Sequence, residues 1–195
     1  MPLWPHNIHK DLHLWNLTEC IEAWINLAES NAYSFKNNPP NRRDIERFAI
    51  FLLLKEIQMD GQIQYNEFGK PFLHDGKFMS ISHDKNFVGL IIQKSEVGLD
   101  IQTAEERVHR IASKFCNQTE LAQFHSTEEI TAIWCAKEAI FKFFGTDVPF
   151  AESITVTGID WDSEEILANY NGVHGSRIFT LKLMNLNNTF VVYTL

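Results

Sequence analysis

Apolar and polar residues alternate from Leu12 to Leu17, the period of a half-buried strand. Helical spacing follows between Glu19 and Glu29, where Ile21, Trp24, Ile25 and Ala28 recur on one face. Asn37-Asn38-Pro39-Pro40-Asn41 breaks the pattern, and Asn41 stands where a capping side chain would open a helix at Arg42. Asp44 to Met59 is apolar on most of its faces and reads as a buried helix. Asp60-Gly61 reads as a turn, and a short strand through Ile63 and Tyr65 comes after it.

The middle of the chain is β-rich. Phe78 to Ser82 and Phe87 to Ile92 have strand character, with Asp84-Lys85-Asn86 between them. Gln93 to Glu96 leads into a further strand, Val97 to Ile101, expected to fold back antiparallel on Phe87 to Ile92. Alternation along that strand places Asp100 and Gln102 on one face and Leu99 and Ile101 on the other. Residues 105–124 read as one or two helices. Glu128 to Phe144 reads as a long helix stopped by Gly145, with Pro149 just beyond. Strands are expected again at Ser153 to Ile159, near Ile166 to Tyr170, at Arg177 to Met184 and at Thr189 to Thr194. The order of strand, helices and strands recurs on either side of residue 95. The expected fold is α+β: a pseudodimer of lobes 1–95 and 96–195, each a small antiparallel sheet packed with helices, in one compact unit.

Composition narrows the partners. The 195 residues carry a net charge of −8, a field that repels nucleic acid, so an anionic ligand would need a local basic patch or a metal. Cys20, Cys116 and Cys135 are odd in number and widely spaced, without a CxxC pair, which points to neither a disulfide framework nor a zinc site. The N-terminal residues lack the basic and apolar regions of a signal peptide, and no apolar run is long enough for a membrane span. A soluble, reduced, cytoplasmic chain with no membrane partner is expected.

Two segments put charge where burial makes it costly. Asp100 lies in the apolar run Val97-Gly98-Leu99-Asp100-Ile101. Lys137, Glu138 and Lys142 lie in Trp134 to Phe144, a helical stretch that is otherwise apolar. Glu138 and Lys142 are four apart, the spacing of an ordinary surface ion pair worth about 0.3–0.5 kcal/mol, but their neighbours are those of a buried helix. Asp100 could equally cap a turn, and Gly98 could admit a close backbone or a ligand. A metal on two carboxylates with lysines beside it is a receptor for a diphosphate. Ser80-Ile81-Ser82-His83 has no nucleophile elbow, so it reads as turn polarity or phosphate contact. Gly69-Lys70-Pro71 is either a plain turn or one presenting a lysine to an anion. His6, His9 and His13 are loosely spaced like metal ligands but lack an HExxH context, and solvated side chains are the simpler reading.

In order, these segments resemble the 4′-phosphopantetheinyl transferases, in particular the longer, pseudodimeric class that activates surfactin synthetase. Gly69-Lys70-Pro71 is similar to the family's G-K-P segment, Ile81-Ser82-His83 to I-S-H, and Gly98-Leu99-Asp100 to G-[IV]-D. Lys114-Phe115 with Glu120 resembles K-F-x-x-x-x-E, and Trp134 to Lys142 resembles W-x-x-K-E-x-x-x-K. The resemblance implies that coenzyme A lies between the lobes and that its phosphopantetheine passes to a serine of an acyl or peptidyl carrier protein, releasing 3′,5′-ADP. It implies Mg²⁺, with Mn²⁺ as an alternative, on Asp100, Glu138 and Gln102, the last through its carbonyl oxygen or a metal-bound water. By the same resemblance, Lys137 and Lys142 would meet phosphate oxygens and Lys70, Ser82 and His83 the nucleotide end. Glu138 would be the base, with Asp100 and Lys142 completing the catalytic group, and a single chain would supply the whole site as a monomer. Two positions depart from the pattern. Gln102 replaces an acidic residue, and Phe51 stands where an arginine is usual, with Arg42, Arg43 or Arg47 as substitutes. A homologue that binds coenzyme A or a carrier without transfer is the alternative.

Overall fold

The structure, a computed structural model, describes residues 11–59, 63–146 and 148–195. His6, His9 and the turn expected at Asp60-Gly61 lie outside the described residues. The first part of the chain runs β1 (Leu12–Asn16), α1 (Ile21–Ser30), α2 (Arg42–Glu56), β2 (Ile63–Tyr65), β3 (Pro71–Leu73), β4 (Phe78–His83) and β5 (Phe87–Gln93). Asn41 does open α2: its side chain accepts from the Asp44 N–H at 3.1 Å, and the Asp44 carboxylate accepts the Asn41 N–H in return. The second part runs β6 (Leu99–Thr103), two short 3₁₀ turns within 106–114, α3 (Gln118–Gln123), α4 (Thr127–Phe144), α5 (Phe150–Ser153), β7 (Ile154–Asp160), β8 (Glu165–Gly172), β9 (Gly175–Leu186) and β10 (Thr189–Thr194). Gly145 ends α4 in the left-handed conformation, φ 87°. No helix of the described residues is long and apolar enough to cross a membrane.

The strands form two five-stranded antiparallel sheets with the orders β1-β5-β4-β3-β2 and β6-β10-β9-β8-β7. The connectivity is the same in both. The first strand pairs with the last, and the last four form a meander. The hairpin expected between residues 87–92 and 97–101 does not form. Both edges of β5 are already taken, by β1 and β4, so the chain after Gln93 crosses to the other sheet and β6 pairs with β10. The strand β3 was not expected. It is three residues long and starts on a proline, which leaves too little alternation to read.

Burial explains why β5 is apolar throughout. Val88, Leu90 and Ile92 face a core with Trp24, Phe48 and Leu52 of α1 and α2. Phe87 and Ile91, on the opposite face, join Leu12 and Leu14 against Leu99, Ile101, Val191 and Tyr193 of the second sheet. A third core lies between α4 and the other face of that sheet. Each sheet with its helices thus forms a lobe, and the lobes meet through an apolar seam.

Gly98 sets how closely the second sheet approaches α4. A Cβ on it would fall 1.8 Å from the Ala139 carbonyl oxygen and 2.8 Å from the Phe143 nitrogen, both of them backbone atoms that cannot step aside. Gly98→Ala is therefore expected to cost more than about 3 kcal/mol or to prevent folding. Gly158→Ala, where a Cβ meets nothing within 4 Å, serves as the control in urea denaturation. A Gly98 variant as stable as that control would contradict the packing described.

Candidate active site

The strand β6 is an outer strand, paired on one side only. On its open side the Leu99 and Ile101 N–H groups point at the first lobe, where they need acceptors. Two serines supply them. Ser80 Oγ accepts from Leu99 at 3.0 Å and Ser82 Oγ accepts from Ile101 at 3.1 Å, so alternate side chains of β4 replace a neighbouring strand.

Asp100, between those two residues, points the other way, toward α4, and is 2% exposed. Lys142 Nζ donates to its Oδ1 at 2.7 Å, Ser82 Oγ donates to the same oxygen at 2.9 Å, and Gln102 Nε2 reaches Oδ2 at 3.3 Å. Lys142 also donates to Ser82 Oγ, at 3.0 Å. Glu138 lies one turn before Lys142 on α4 and makes no hydrogen bond among the described residues. Burial, and then the Asp100 charge, push its carboxyl up to about 7, with Lys142 acting in the opposite direction.

Beside this group a cleft of about 480 Å³ opens between the lobes. Its walls are Arg43, Glu46, Arg47 and Ile50 of α2, the turn from Phe68 to Pro71, His83, and Phe141 and Lys142 of α4. Among the described residues four cationic side chains line it: Arg43, Arg47, Lys70 and Lys142. Glu46 is the one acid among them on the walls, and it is already paired with Arg42 at 2.8 Å and with His83 Nδ1 at 3.3 Å. Lys70 Nζ donates to the Phe143 carbonyl in the last turn of α4, an acceptor the helix leaves free. Burial holds the Lys70 ammonium below the usual lysine range, with Glu96 opposing. In a chain of net charge −8, this cleft is a local basic site.

The structure therefore brings Asp100, Glu138, Lys142, Gln102 and Ser82 to the lobe junction, and Lys70, His83 and Arg43 to the adjoining cleft. It departs from expectation at four positions. Lys137 does not face the cleft; it is 0% exposed, pairs with Glu120 Oε2 at 2.7 Å and donates to the carbonyls of Phe115, Phe150 and Ile154. Neighbours on a helix project about 100° apart, so turning Glu138 toward Asp100 sends Lys137 into the core. Ser82, expected at a phosphate, is 4% exposed and has both acceptor positions and its proton engaged. Arg42 is turned onto Glu46 and the Asp84 carbonyl instead of lining the cleft. Gln102 directs its NH₂ at Asp100, so it adds a donor beside the carboxylate.

Phe51 points away from the cleft, into the aromatic cluster of Tyr33 and Phe48. The cations come instead from Arg43 and Arg47. Their signal was a polar run at Arg43, Glu46 and Arg47, the i, i+3, i+4 spacing of one helix face. Glu120, which also accepts the Val156 N–H at 2.7 Å, was visible in sequence but not its role as the partner of Lys137.

Residues 96–183 match the 4′-phosphopantetheinyl transferase superfamily. No curated protein matches the chain. The matched span holds Asp100, Gln102, Glu138 and Lys142, while Arg43, Arg47, Lys70, Ser82 and His83 lie before it. The junction group is thus assembled from the span that matches the phosphopantetheinyl transferases and from β4, which lies outside it.

Two outcomes follow. Lys137→Met should cost about 3–5 kcal/mol in urea denaturation, because it leaves Glu120 buried without its cation, and Lys137→Met/Glu120→Leu should recover most of that loss. Unchanged stability in the single variant would return Lys137 to a ligand-facing role. The second outcome concerns pH. Glu138 has a folded-state pKa above its ordinary 4.5, so the native state binds more protons between 4.5 and about 7. Its contribution is complete below the lower value and lost as pH rises through the upper one. In EDTA, stability should fall by up to about 3 kcal/mol between pH 5 and 8, and Glu138→Gln should flatten the slope. An equal slope in the variant would contradict the assignment.

Proposed function

We propose that the protein transfers the 4′-phosphopantetheine of coenzyme A to a serine of an acyl or peptidyl carrier protein. The observation that carries this reading is the junction itself: the buried Asp100 and the half-buried Glu138, beside a cleft where Arg43, Arg47, Lys70 and Lys142 converge. The superfamily match over residues 96–183 supports it. The shared strand order of the two sheets supports reading the chain as two related lobes, 1–95 and 96–195, with the complete site in a monomer.

The donor set suits Mg²⁺. Among the described residues no three His, Cys, Asp or Glu side chains converge, but Mg²⁺ in phosphoryl-transfer sites takes one or two carboxylates and completes its shell with substrate phosphates and water. Asp100 and Glu138 provide that number, and a Glu138 carboxyl raised by burial and by the Asp100 charge is relieved by a cation. Bound there, Mg²⁺ would neutralise diphosphate oxygens and polarise the bond that breaks.

The protein's own groups do the rest. Arg43, Arg47 and Lys70, with His83, hold the anionic end of coenzyme A in the cleft. Lys142 fixes Asp100 and offers positive charge to the diphosphate. The carrier serine oxygen attacks the β-phosphorus, the bond to the bridging oxygen breaks, and 3′,5′-ADP leaves with the electron pair. Glu138, beside Asp100 and Lys142, takes the serine proton directly or through water. Phosphoryl transfer needs positioning and charge neutralisation above all, and the junction supplies both.

Mass spectrometry of apo carrier protein incubated with the protein, coenzyme A and Mg²⁺ tests the reading. A gain of one phosphopantetheine is expected, abolished by EDTA and reduced at least about 100-fold in Asp100→Ala and Glu138→Ala. Coenzyme A binding without transfer to any of several carriers would favour the non-catalytic homologue.

A further inference from the structure

The cleft gathers cations, yet a carboxylate stands in its wall. Glu46 is 8% exposed and sits on α2 among Arg42, Arg43 and Arg47. An acid there opposes the field that would hold an anionic ligand. Helix stability does not account for it. Its i, i+4 partner Arg42 is the first residue of α2, beside the positive end of the helix dipole, and arginine before glutamate is the weaker order of such a pair. What the pair touches explains it better. Glu46 Oε1 accepts from Arg42 Nε at 2.8 Å and stands 3.3 Å from His83 Nδ1. Arg42 also donates to the carbonyl of Asp84, the residue after His83. The carboxylate thus holds the His83 ring, and the guanidinium holds the backbone beside it.

We propose that Glu46 is a positioning residue that acts through His83, engaging Nδ1 so that Nε2 is left to donate to the anion in the cleft. The inference rests on the reading above that this cleft holds the anionic end of coenzyme A. The partner of one imidazole nitrogen fixes what the other can offer. Between a carboxylate and a phosphate oxygen the ring has an acceptor on each side and donates from both nitrogens, in two charge-assisted bonds. The His83 side chain is 52% exposed, and among the described residues Glu46 is the one polar partner of its ring. Without that partner the ring is free to take other rotamers, and a ligand would have to order it on binding. The cost of an acid in a basic wall is then offset by a donor that is already in place.

The test is a double-mutant cycle on coenzyme A affinity, measured by isothermal titration in EDTA with Glu46→Leu, His83→Ala and the double variant. Glu46→Leu, near in size but without an acceptor, should weaken binding about 10-fold. In the His83→Ala background the same change should matter less than about 2-fold. Should Glu46→Leu not fold, Glu46→Gln carries the cycle. In the transfer assay Glu46→Leu should raise the coenzyme A KM about as much as it weakens binding, while kcat changes far less. Ring ¹⁵N shifts of His83 give a readout free of any ligand: they should move in Glu46→Leu. Unchanged or tighter coenzyme A binding in that variant would overturn the proposal. So would an equal loss with and without His83, since Glu46 would then act by another route. A wild-type protein that does not bind coenzyme A would instead remove the cleft reading. The ring shifts would then decide alone, and unchanged shifts would show that Glu46 does not hold the ring.

Discussion

An aspartate on the inner side of an outer strand must be neutralised by something that does not belong to its own sheet, and much of the arrangement follows from that requirement. Asp100 is nearly inaccessible to water, and the cation that offsets its charge comes from α4. The ion pair is placed by close backbone packing, which Gly98 allows, and is completed by a serine from the other lobe. A buried ion pair of this kind contributes little net stability, because the desolvation cost offsets most of the attraction. What it fixes is the relative position of two lobes, a carboxylate and a lysine. Where that geometry is kept at the expense of stability, chemistry is the natural reason.

The second buried pair marks the contrast. Lys137 and Glu120 are more deeply buried, both at 0% exposure, and their donors and acceptors are met by one another and by protein backbone. They tie the start of α3 and the strand β7 to α4. Adjacent residues of one helix therefore serve opposite purposes, Lys137 holding the core and the Glu138 carboxyl lying at the junction with no hydrogen-bond partner among the described residues. The difference arises from the 100° step of the helix and from what packs on each side.

The fold was largely legible because its patterns are regular. Alternation located β1, apolar and β-branched runs located β4, β5 and β10, and the capping asparagine and terminal glycine located α2 and α4. The pairing of β6 was not legible, since nothing local tells a strand that its neighbour's edges are taken. The same limit applies to the site. Asp100, Glu138 and Lys142 stand out in the sequence because charge is conspicuous in apolar surroundings, and the structure places them at one junction. The partners of Lys137 and Ser82, which are Glu120, Ile101 and Lys142, are set by tertiary packing and were not legible. Arg43 and Arg47 could be seen as a stripe on α2, but only the fold turns that stripe toward Lys70 and Lys142.

The central claim is that a cleft gathering four cations in an acidic chain holds the anionic end of coenzyme A next to a carboxylate pair that takes a divalent metal. Isothermal titration of coenzyme A into the protein, with Mg²⁺ and with EDTA, tests it most directly. The account predicts saturable 1:1 binding that weakens as salt rises and is tighter with Mg²⁺, with Arg43→Ala/Arg47→Ala weakening it in both conditions. Binding indifferent to salt, to the metal and to those two arginines would contradict it.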